Sequence, residues 1–155
     1  MKARMSLLPG AVLLFAVGLF CPPSQGQTTK ALLLFGGKDH KTFLGCFNCV
    51  ASSSASVCNV AGDFGSIVSD TSIWNIVGKF GSIVSDESPW SIVASDPPII
   101  VDKDGNSYGY FTENIVHDQT HIPWLVNILN YYDKKDDLDK TRDKMCGDEV
   151  EDDDN

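Results

Sequence analysis

A ten-residue phrase occurs twice in this chain of 155 residues, as GSIVSDTSIW at Gly65–Trp74 and GSIVSDESPW at Gly81–Trp90. The register extends outward at an offset of sixteen. Gly62 aligns with Gly78, Phe64 with Phe80, and Asn59 with Asn75 and Ser91. A partial copy, SSASVCN at Ser53–Asn59, precedes these and sets Cys58 where the tryptophans fall. Sixteen residues are too few for a helix–turn–helix repeat. The unit is rich in Ile, Val, Phe, Trp, Ser and Gly, which favours β structure. Each copy is expected to run as a strand, a Gly-Ser turn or bulge, a short apolar strand, and a Ser/Asp turn ending on an aromatic.

Two full copies are too few for a long solenoid, which needs about three or more units and caps. The expectation is therefore a mainly β fold: a short sixteen-residue-repeat β-meander or β-coil with a β-hairpin and one C-terminal helix. Equivalent positions would stack, with Trp74 and Trp90 on one face and Phe64 and Phe80 likewise. These repeat-face aromatics are read either as a platform for flat ligands such as sugar rings or as core, and tryptophan's large burial favours core.

The chain begins as export signals do. Lys2 and Arg4 precede the apolar Leu7–Phe20, and Ser24 and Gly26 fit a cut after Gly26. The expected organisation is a signal peptide over 1–26, a single β-rich repeat domain over 27–132, and a disordered acidic tail over 133–155. That last segment holds 11 acids and 5 bases with few apolar residues. Losing Lys2 and Arg4 would take the formal charge from −9 to −11. Such a chain is a poor partner for nucleic acid, whose phosphates need Lys and Arg. The apolar stretch at the start is short for a bilayer of roughly 30 Å, so the processed chain is not expected to span a membrane.

Pro97–Asn114 contains Asp102, Asp104, Asn106, Tyr108, Tyr110 and Glu113 at EF-hand positions, yet Ser107 stands where glycine is required and the flanks are strand-like. A hairpin pairing Ile99–Asp102 with Tyr108–Thr112 through an Asp-Gly turn is favoured. Asp102 and Asp104 remain a calcium candidate within that turn. His117–His121 reads H-D-x-x-H, but Pro123 argues against a helical metalloprotease motif there. A helix from Pro123 to Asp133 is expected to dock through Trp124, Leu125, Ile128, Leu129 and Tyr132.

Cys46, Cys49 and Cys58 lie close together and Cys146 lies far along the chain. In an exported protein such cysteines default to disulfides. Cys46–Cys58 or Cys49–Cys58 would tie the cap to the first rung, leaving the third thiol free or paired with Cys146. A metal or thiol-exchange site is the rival, with His40 or Cys146 as a further zinc ligand. No catalytic constellation is recognisable, and no cofactor is expected beyond the zinc or calcium candidates.

The stretch FLGCFNC…SVCN, the two copies of the repeat, and PPIIVDKDGNSYGYFT together resemble a group of small exported bacterial proteins of unknown function with a G-x-[FY]-G-S-x-x-S-x-x-S-x-W repeat. The similarity covers Lys38–Asn114. It implies export and a single domain and transfers no catalytic residue. The functional expectation is a non-catalytic secreted or periplasmic interaction module that binds a cell-envelope or extracellular partner or a glycan. The alternative is a thiol or metal-binding protein built on Cys46, Cys49 and Cys58.

Overall fold

The computed structural model describes residues 30–135 and 137–147. The expected signal segment and the final residues of the acidic tail lie outside them.

Four short strands form one antiparallel sheet: β1 Leu33–Gly36, β2 Thr42–Cys46, β3 Ile99–Val101 and β4 Ser107–Tyr110, in the order β2-β1-β3-β4. β1 and β2 are joined through a tight turn, and β3 and β4 form the expected hairpin, with Ile99 opposite Tyr110 and Val101 opposite Ser107. β1 also pairs with β3, placing Leu34 opposite Ile100. The repeat-bearing segment is therefore a long excursion that leaves the sheet after β2 and returns as β3. Leu34, Leu44 and Ile100 are fully buried beneath it.

Residues 59–98 contain no strand. The expected strands are replaced by a chain of tight turns, and the reason is local. Ser72 N–H bonds Ser69 O, Asn75 N–H bonds Ser72 O, and Gly78 N–H bonds Asn75 O. After one four-residue step to Ser82, the three-residue steps resume at Ser85 and Ser88. Side chains reinforce the pattern. Ser66, Ser72, Asn75, Ser82 and Ser88 each accept the backbone N–H two residues ahead. These bonds occupy amides that a β ladder would have used.

Phenylalanines from this segment settle on the sheet. Phe64 packs edge-on against Phe43 of β2 at 4.8 Å between ring centroids. Phe80 is buried over Gly36, where an added methyl group would lie 2.5 Å from Leu44 Cδ1 and 2.8 Å from the Phe80 ring. The absence of a side chain at Gly36 is what lets the ring lie down on β1.

Two helices complete the fold, where one was expected. α1 spans Pro123–Lys135 and α2 spans Leu138–Cys146. Leu125, Ile128, Leu129 and Tyr132 of α1 are buried, while Trp124 is partly exposed. Helix α2 begins in the first half of the segment read from composition as an acidic tail, a reading that allows helix at its start. Asp137 caps it, accepting the Lys140 N–H at 3.0 Å, and Leu138 and Thr141 are buried. A disulfide from Cys146 to Cys58 ties it to the turns. Covalent and capping terms hold a helix whose composition alone would not.

The cysteine pairing also differs from expectation: Cys46 bonds Cys49 and Cys58 bonds Cys146. Asn48 explains the first pair. Its side chain accepts the Leu32 N–H and donates to Lys30 O, folding the chain after β2 so that the Cys46 and Cys49 Cα atoms stand 5.5 Å apart. In the second pair Cys58, partly buried against the core, meets Cys146 at the end of α2 with Cα atoms 5.4 Å apart.

Candidate functional site

The aromatics of the repeat do not form an open platform. Trp74 and Trp90 are 2% and 1% exposed. Their rings stack at 5.5 Å, and Trp90 also meets Phe111 and Tyr132. Trp74 Nε1 donates to Val57 O and Trp90 Nε1 to Ile73 O, so both indoles are satisfied inside the protein. Phe80 is buried and Phe64 half-buried. The ring faces a sugar would need are already covered by protein.

Asp102 and Asp104 do come together, but around a cation that the chain supplies. Lys30 Nζ lies 3.1 Å from Asp102 and 2.8 Å from Asp104. Asp102 also accepts the side chains of Asn106 and Tyr108 and the backbone N–H groups of Asp104 and Asn106. These donors, the Asn106 side chain foremost, hold the Asp102 carboxyl well below the usual carboxylate range. The bonds to Asp104 and then Asp102 hold the Lys30 ammonium well above the usual lysine range. The arrangement is a pinned hairpin turn, and Gly105 at φ 83° closes it. Two residues of the calcium-like spacing lie elsewhere: Tyr110 contacts His40 and His117, and Glu113 faces α1.

His117 and His121 do not converge. His117 Nε2 bonds Ala94 O at 3.0 Å, and exposed His121 lies 3.6 Å from Asp118. His40 Nε2 is engaged with Pro97 O at 3.0 Å. All four described cysteines are in disulfides, and among the described residues no group of three or more His, Cys, Asp or Glu is placed to hold a metal ion.

The surface carries a feature that reading the apolar pairs as strands had missed. The Ile-Val pairs of the repeat point outward. Val68, Val77 and Val84 are 79%, 87% and 80% exposed. Ile67, Ile76, Ile83, Ile92 and Val93 are exposed as well. Each pair follows a Ser or Asn, at Ser66, Asn75, Ser82 and Ser91. At the first three, that residue's side chain bonds the valine N–H. The turn residue goes in and the aliphatic pair stays out: Asn75 and Ser91 are buried while Ile76 and Ile92 are not. The signal was present in the sequence as a Ser or Asn before each Ile-Val pair of the repeat, a residue type whose side chain takes a nearby backbone amide and favours a turn over a strand.

Between this aliphatic surface and the helices runs an open cleft. One hollow of about 540 Å³ is lined by Ile67, Ile76, Ile83, Trp74 and, from the helices, Tyr132 and Leu138. A second, of about 370 Å³, shares Ile83 and Tyr132 with it, and a third, of about 450 Å³, adjoins the second. Both of these include Ile92, Glu113 and Asp133. Glu113 Oε1 is buried there with no hydrogen-bond partner. Burial, assisted by the Asp133 carboxylate, pushes the Glu113 carboxyl up to about 7.

Monomeric soluble proteins rarely leave a contiguous apolar patch larger than a few hundred Å² in water unless it meets something. The hollows set exposed isoleucines beside the carboxylates of Glu113, Asp133, Asp137 and Asp139. Comparison with protein-family models, characterised proteins and solved structures returned no match.

Proposed function

We propose that this protein is a non-catalytic interaction module that works outside the cytoplasm, secreted or periplasmic, and that its contact surface is the outward Ile-Val array. The observation that carries the proposal is the exposure of Val68, Val77 and Val84 on successive turns. Burying each such side chain in a complex contributes roughly 1.5 kcal/mol, whereas leaving it in water gains nothing for the isolated chain. Export is supported by two disulfides, which persist in oxidising compartments, and by the Lys2–Gly26 leader pattern. No helix among the described residues is long and apolar enough to cross a membrane.

The turns are read as a short coil with rungs of sixteen residues, each made of one four-residue and four three-residue steps. In such a coil Val68 lies beside Val84 and Ile76 beside Ile92, giving rows and not scattered points. A cell-envelope protein suits these rows better than a glycan, because the tryptophans that would stack on sugars are inside. The alternative thiol or metal function gains no support from cysteines that are already paired.

The test is a comparison of the wild-type chain with a Val68→Ser, Val77→Ser, Val84→Ser variant, expressed and exported in parallel and photo-crosslinked on intact cells. A discrete set of envelope adducts lost in the variant is the expected result. Identical adducts from both chains, or none from either, would reject the array as the contact surface.

A further inference from the structure

The cleft beside the Ile-Val array has a definite chemical character. One wall is aliphatic, from Ile67, Ile76, Ile83 and Ile92. The helix side adds Leu129, Tyr132 and Leu138, and carboxylates mark the floor and rim at Glu113, Asp133 and Asp139. Among the described residues, no Lys or Arg lines any of the three hollows. The nearby Lys140 is committed to Asp137 at 3.0 Å, and Lys79 to Glu87 at 2.9 Å.

Resting on the interaction-module reading, we propose that this cleft docks a basic amphipathic helix of a partner protein, with its apolar stripe on the isoleucines and a Lys or Arg between Glu113 and Asp133. Helix-in-groove recognition places anchors at i, i+3, i+4 and i+7 on one face, with polar residues flanking them. The adjoining hollows offer a row for such anchors. Charge complementarity selects the flanking residues. A cation at Glu113 gives the orphaned Oε1 a donor and relieves its repulsion by Asp133. A second copy of this acidic chain would bring carboxylates to carboxylates. An anionic bilayer would be repelled by the same groups.

The probe is a fluorescein-labelled helical peptide of leucine and lysine, about 18 residues or roughly 27 Å long, with a leucine–glutamate peptide of identical pattern as control. Anisotropy titrations use the whole exported chain at physiological salt. The leucine–lysine peptide is expected to bind and the leucine–glutamate peptide not to. Glu113→Gln with Asp133→Asn should weaken binding at least about tenfold, as should Ile83→Ser with Ile92→Ser. Asp63→Asn with Asp70→Asn, exposed acids away from the cleft, should leave it within about twofold and so separates docking from general attraction to an acidic protein. The near-ultraviolet dichroism of the stacked indoles checks that each variant is folded, and the exposed Ile83 and Ile92 give a second variant that leaves the core untouched.

Failure of the lysine peptide to bind, equal binding of both peptides, or equal weakening by the Asp63/Asp70 pair would overturn the proposal. Concentration-dependent dimerisation that excludes the peptide would overturn it in favour of a second copy. If the peptide result fails while the crosslinks still depend on Val68, Val77 and Val84, the cleft assignment falls and the interaction-module reading stands.

Discussion

Trp90 stacks on Trp74 with ring centroids 5.5 Å apart, and each indole N–H is held by a carbonyl seventeen residues earlier in the chain. The stack joins residues sixteen apart, and the two indole hydrogen bonds each reach back seventeen. The pair sits where the turns, the sheet and α1 converge, with Phe111 and Tyr132 closing on Trp90. Replacing Trp74 with Phe keeps most of the ring but strands the Val57 carbonyl in the core. The expected cost is about 2–3 kcal/mol in urea unfolding, with loss of near-ultraviolet dichroism.

The two disulfides should contribute unequally. Cys58–Cys146 closes a span of 88 residues and Cys46–Cys49 a span of 3. Chain-entropy reasoning assigns about 4–5 kcal/mol to the long link and about 2 kcal/mol to the short one. Cys58→Ser with Cys146→Ser should therefore lower stability more than the Cys46/Cys49 double replacement and release α2 to proteolysis. Peptide mapping without reduction should recover the two pairs named here, and a Cys49–Cys58 peptide would contradict them.

Close backbone approach makes two glycines irreplaceable. A Cβ at Gly81 would run into the backbone carbonyl of Asn75, and one at Gly65 into that of Asn59. The obstacle is backbone, which cannot rotate aside as a side chain can. Gly81→Ala should cost about 2–3 kcal/mol. Gly105→Asn, at a turn with open space around it, should cost far less. Thermal melts of the two variants check the contrast.

Glu113 gives stability a pH dependence. Its proton leaves near 4.5 in the unfolded chain and near 7 in the folded protein, because burial and the Asp133 carboxylate disfavour the charged form. The folded state holds the extra proton between these values, so stability is highest below about 4.5 and falls as pH rises through 7. The carboxyl is partly exposed, and screening limits the loss to about 1 kcal/mol. Glu113→Gln should flatten the decline in unfolding midpoints between pH 4.5 and 8. An unchanged slope would place the pH dependence on another group.

The outward valines should be neutral to folding. Val77→Ser and Val84→Ser remove side chains that touch little of this chain, so unfolding midpoints should shift by no more than about 0.5 kcal/mol. A large loss would mean that these valines are packed in solution, and calorimetry would show it.

Much of the architecture could be read locally. The Asp-Gly pair foretold the β3–β4 hairpin, and the apolar stripe of α1 foretold the burial of Leu125, Ile128, Leu129 and Tyr132, though Trp124 of the same stripe is exposed. The sequence alignment set Cys58 with Trp74 and Trp90, and all three side chains pack against the core, Cys58 only partly buried. The fate of the Ile-Val pairs was also local, since at three of them the Ser or Asn just before takes an amide a ladder would need. Long-range partnership was decided only in three dimensions: β1 beside β3, Cys58 with Cys146, and Lys30 on Asp102. Local hydrogen-bond competition is written in neighbouring residues. Which distant segments meet depends on the path the chain takes between them, and no short stretch of sequence carries that information.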